Sequence, residues 1–113
     1  MTAPSAEAAS RTVTLKTSDR APGGTATLKV EWWGYSDGQW NWRVTGTVKD
    51  VEADGWCAQV RVKSDDYVHH VDPIACPKGT RKNIRIQGTA ARATVQVCLT
   101  KDGSAVDYCS RWA

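Results

Sequence analysis

The sequence predicts an all-β fold, an antiparallel β-sandwich of about eight strands with two disulfides and a flexible N-terminal arm. Three observations lead there. Val and Thr number twelve each against three Leu, a β-branched bias that suits pleated strands and works against helices. Apolar and polar residues alternate in short runs separated by Gly, Pro and Asp turn signals, with no helical period long enough to compete. The four Cys are even in number within 113 residues and carry no CxxC spacing, which is the pattern of a small domain stapled in an oxidising compartment.

The chain begins with an Ala/Ser/Pro-rich segment that has nothing to bury, so residues 1–11 read as an arm and 12–113 as a single domain. That start has neither the basic nor the apolar region of a signal peptide and reads as a mature N-terminus behind an added Met. Strands follow near 12–18, 25–34, 39–49, 56–63, 67–75, 82–87, 92–101 and 105–112. Turns separate them at Pro22-Gly23-Gly24, Asp37-Gly38, Asp54-Gly55, Asp65-Asp66, Lys78-Gly79 and Asp102-Gly103.

Register follows from requiring one apolar face on both strands of a hairpin, because a one-residue slip inverts every side chain. For the second and third strands, a three-residue loop with Gly38 left-handed sets Trp32 opposite Trp42, Val30 opposite Val44 and Ala26 opposite Val48. The other face then pairs Glu31 with Arg43 and Lys29 with Thr45. Four Cys allow three connectivities. Bridging Cys57 to Cys76 sets Ala58, Val60 and Val62 opposite Ala75, Pro73 and Val71 on one face. Bridging Cys98 to Cys109 through a Gly103-Ser104 turn does the same for Leu99 with Tyr108 and Val95 with Trp112. These two pairings are the ones the alternation favours.

Several function classes are excluded by composition. A net charge of +3 and the absence of a Lys/Arg run interleaved with aromatics argue against a nucleic-acid partner. No apolar stretch is long enough to insert as a membrane helix. The sequence holds no GxSxG, HExxH, P-loop or GxGxxG motif, its two His are adjacent, and its Cys are expected to be oxidised. We therefore expect no catalytic residue, no metal site and no cofactor. Charge is nevertheless uneven: residues 50–72 hold six acids against Arg61 and Lys63, whereas 73–101 hold six cations and no acid. Opposed charged surfaces of this kind steer a protein onto complementary partners.

The densest functional signal is the aromatic run from Trp32 to Trp42. Parity sends Trp32, Trp40 and Trp42 inward as core, and sends Trp33 and Tyr35 outward beside Gln39, Asn41 and Arg43. An outward Trp and Tyr flanked by an Arg and amides suit an interface hot spot or a sugar-stacking platform.

The Ala/Ser/Pro-rich start, the Trp-rich body and the two Cys pairs ending in Val106-Asp107-Tyr108-Cys109-Ser110-Arg111-Trp112 resemble the small secreted two-disulfide β proteins of actinobacteria. Among these, the chain resembles the adaptor subunits of umbrella toxin particles, which link a lectin-bearing protein to a large toxin polypeptide. The resemblance implies that the arm, with Thr2, Ala3, Pro4 and Ser5, enters a cleft of the lectin-bearing partner while the folded body meets the toxin. The expected function is that of a secreted, non-catalytic adaptor touching two protein partners on opposite surfaces. The rivals are a carbohydrate-binding module using Trp33 and Tyr35, and a protease inhibitor presenting a braced loop such as 73–79.

Overall fold

The computed structural model describes residues 5–17, 23–35, 38–51, 56–65, 67–76, 78–90, 92–101 and 105–113, with the backbone alone at 5–8, 35 and 105–107. Eight strands lie among the described residues: β1 (Ser5–Lys16), β2 (Gly24–Tyr35), β3 (Trp40–Asp50), β4 (Cys57–Ser64), β5 (Tyr67–Ala75), β6 (Arg81–Thr89), β7 (Thr94–Lys101) and β8 (Ala105–Asp107). They form two antiparallel sheets, β1-β2-β3-β6 (sheet A) and β5-β4-β7-β8 (sheet B). The inward sides carry the apolar half of the alternation. Leu28, Val30, Val44, Val48 and Ile84 of sheet A meet Val60, Val62, Val71, Val95 and Val97 of sheet B in one cluster. Each such side chain contributes about 1.5–3 kcal/mol when fully buried.

The β2–β3 register is the expected one, with Trp32 opposite Trp42, Val30 opposite Val44, Ala26 opposite Val48 and Glu31 opposite Arg43. Gly38 takes φ 89°, the left-handed conformation the loop demands of it. Both disulfides, Cys57–Cys76 and Cys98–Cys109, are formed as the alternation indicated.

Four expectations need correction. Ser5 to Ser10 is not an arm: it continues β1 and pairs with β2 as far as Ser5 opposite Tyr35. The segment has little to bury, but the backbone groups along that side of β2 need partners and β1 supplies them. Thr2, Ala3 and Pro4 lie outside the described residues. In the β4–β5 pair, Ala58 meets Ala75, but Val60 then meets Val71 and Val62 meets His69. The two-residue shift falls at Pro73, which has no N–H to give the ladder and interrupts it. Residues 73–75 thus belong to β5 rather than to a protruding loop. In the β7–β8 pair, Leu99 meets Asp107 rather than Tyr108. Tyr108 then takes φ 53° and adds one residue, which brings Cys109 to Cys98. Lastly, of the three inward Trp only Trp42 is fully enclosed, at 1% exposure. Trp32 is half-buried and packs on the rim of the core, and Trp40 is half-buried with its ring over Gly34.

Beyond Tyr108 the chain runs along the edge of β7. Ser110 N–H donates to Val97 C=O at 2.8 Å, and Val95 and Ala113 exchange both backbone bonds at 2.9 Å. On one side of the sandwich β5 lies against β6. On the other, β1 and this C-terminal segment flank a gap.

Candidate functional site

The outer face of sheet A is set by the pairing of its four strands. Rows run across it as Trp33, Asn41 and Thr89, then Glu31, Arg43 and Gln87, then Lys29, Thr45 and Arg85, with Lys49 beside Arg81 further on. Two of the cations that sequence grouped in residues 73–101, Arg81 and Arg85, thereby join Lys29 and Lys49 on one face. Glu31 answers some of them, lying 3.3 Å from the Arg43 Nε and 3.9 Å from the Lys29 Nζ.

At the Trp33 end of this face lies a hollow of about 160 Å³ lined by Trp33, Asn41, Trp42, Gln87, Gly88 and Thr89. Gly88 makes room for the Trp42 ring on the inner side of this end, since a Cβ there would come within 2.6 Å of it. Two of the lining residues carry a buried donor without a hydrogen-bond partner, Asn41 Nδ2 on the outer face of the sheet and Trp42 Nε1 on the inner. Buried N–H groups of this kind cost free energy until an acceptor reaches them.

Of the residues expected at a site, Trp33 and Arg43 do come together. The Arg43 guanidinium sits 5.6 Å from the Trp33 ring centre, so one ring face is already occupied by a cation–π contact. Gln39 is exposed at the start of β3. Tyr35 ends β2 opposite Ser5, and its side chain lies outside the described residues. Gln87, Gly88 and Thr89 carry no sequence signal of their own. They reach Trp33 because β6 pairs with β3 across a long connection, which local patterning does not encode.

A second surface lies in the gap beside β1. One cavity there, about 470 Å³, is lined by Arg11, Trp32, Arg92, Ala93, Thr94 and Ala113. Another, about 400 Å³, is lined by residues 14–16 of β1, by Thr17 just after it, and by Cys109, Ser110 and Arg111. Arg11 spans the gap: its Nη2 donates to the carbonyls of Ala93 and Ala113 at 2.9 and 3.0 Å, and its guanidinium lies 5.4 Å from the Trp32 ring centre. No family model, curated protein or solved structure matches the chain.

The far wall of the gap is fixed from sheet B. The Arg61 guanidinium donates to Gln96 Oε1 at 3.0 Å and lies 5.7 Å from the Trp112 ring centre, while Gln96 Nε2 donates to the Ser110 carbonyl at 2.9 Å. The Cys98–Cys109 bridge ties the same segment down covalently. A C-terminal tail that would otherwise fray is therefore held as a rigid wall. His69 and His70 fall opposite Val62 and Arg61, on opposite faces as adjacent strand residues must. His69 packs edge-on to Trp42 and Tyr67 and shares a 3.3 Å hydrogen bond with the buried Ser64 hydroxyl, closing that end of the sandwich. Among the described residues, no three His, Cys, Asp or Glu side chains converge as a metal site would need.

Proposed function

We propose that this protein is a secreted, non-catalytic binding protein that bridges two protein partners. One observation carries the reading: the Trp33 hollow and the gap beside β1 share no residue. The hollow opens on the outer face of sheet A, whereas the gap lies along its edge. An adaptor needs such separation so that both partners are held at once. Two disulfides in a small all-β domain suit an extracellular site of action.

The hollow suits a protein contact. Trp33 braced by Arg43 is a rigid aromatic anchor, and Asn41 Nδ2 beside it can receive an inserted acceptor, such as a backbone carbonyl or a side-chain amide. A glycan ligand is the second reading, favoured by the Asn41 amide donor beside an indole. It is weakened because the Arg43 guanidinium covers one face of the Trp33 ring.

The experiment is affinity capture from the native extracellular fraction with the oxidised protein, Trp33→Ala and Lys16→Glu/Arg111→Glu as parallel baits, read by quantitative mass spectrometry. The wild type should retain two different proteins, each lost by one variant only. Retention of a single protein lost by both variants would rule out bridging. A glycan array on the wild type and Trp33→Ala separates the second reading, since only a sugar site gives Trp33-dependent glycan signals.

A further inference from the structure

We propose that the gap beside β1 binds an extended acidic segment of another protein, which adds to sheet A as a strand on the open edge of β1. This rests on the adaptor reading and names the chemistry of one partner. β1 ends the strand order of sheet A, and its twelve residues pair on one side with β2. The far side is an edge of backbone donors and acceptors, the template on which strand addition operates.

The dimensions fit that occupant. The two cavities follow β1 from Arg11 to Thr17, and seven residues of strand span on the order of 20 Å at about 3.3 Å per residue. An incoming strand alternates its side chains, one set toward the floor and the other toward solvent. The floor offers Trp32, Ala93 and Leu15 for small or apolar side chains, while the C-terminal segment forms the opposite wall.

Charge selects the occupant. Lys16, Arg92 and Arg111, all exposed, line the two cavities with Arg11 on the inner side of β1, and among the described residues no Asp or Glu lines either one. A basic strand would add like charge to these cations, whereas an acidic one would meet them with carboxylates. The same charges oppose pairing with the β1 of a second copy, which would bring another Arg11 and Lys16 into the gap.

The test is selection of random twelve-residue peptides displayed on phage against the intact, oxidised protein. Enriched peptides should carry several Asp or Glu residues. A synthetic copy should bind at least tenfold more weakly to Lys16→Glu/Arg111→Glu and show an intermediate loss with Lys16→Gln/Arg111→Gln, both exposed pairs that leave the core untouched. Its affinity should fall as salt is raised, and hydrogen exchange should slow at residues 12–16 on binding. Enrichment without acids, binding indifferent to these variants, or a β1-paired homodimer would each overturn the proposal. Peptides that depend on Trp33 instead would refute the acidic strand and leave the adaptor reading standing, which falls separately if native capture retains no second partner.

Discussion

Gly46 sits in the middle of β3 at φ 151°, and a Cβ there would fall on the Thr27 carbonyl oxygen and close to the Leu28 Cα. Those obstacles are backbone, which cannot swing aside as a side chain would. Gly46→Ala should therefore cost more than about 3 kcal/mol in denaturant unfolding, near the upper end for single substitutions. Trp42→Ala should cost about 3–5 kcal/mol, as removal of a buried aromatic does. Trp33→Ala should cost no more than about 1–2 kcal/mol, because it removes a partly exposed cation–π contact with Arg43 rather than opening a core cavity. Equal losses at 33 and 42 would mean that both faces of this hairpin are enclosed. Parity along Trp32 to Trp42 already separated inward from outward residues. It did not show that Trp32 and Trp40 lie at the rim, because that depends on how far the opposite sheet reaches.

Register was legible wherever an apolar alternation and a turn residue agreed, as at Gly38 between β2 and β3. It slipped where one residue broke the ladder, by two at Pro73 and by one at Tyr108, yet both disulfides form as expected, because Ala58 still meets Ala75 beside Cys57 and Cys76 and the extra residue at Tyr108 brings Cys109 back to Cys98. Non-reducing peptide mapping should return Cys57–Cys76 and Cys98–Cys109 alone. Opening either bridge by a double Cys→Ser change should cost on the order of 3 kcal/mol, given sequence separations of 19 and 11. The first half of β1 was illegible because its pairing rests on backbone bonds and small side chains. Each such bond contributes only about 0.5–1.5 kcal/mol net against about 1–2 kcal/mol of backbone entropy per residue. Hydrogen exchange should accordingly be slow at the β2-paired amides near the buried Leu15 and much faster toward the exposed Ala9 and Ser10. Uniform protection along β1 would show that something else anchors its start.

The whole molecule measures 53 × 24 × 21 Å, a rod long enough to hold two proteins apart. Its strand order brings β6 beside β3 and leaves β1 and the C-terminal segment facing each other across a gap. Neither neighbour relation is written locally in the chain, which is why Gly88, Arg92 and Arg111 gave no signal as site residues while Trp33 and Arg43 did. The two surfaces that result are the basis for assigning a bridging role. Native mass spectrometry of the protein mixed with its captured partners tests that role most directly. The account predicts one particle containing a single copy of this chain and two different proteins, reduced to one binary complex by Trp33→Ala and to the other by Lys16→Glu/Arg111→Glu. Binary complexes that exclude one another at every mixing ratio would contradict it.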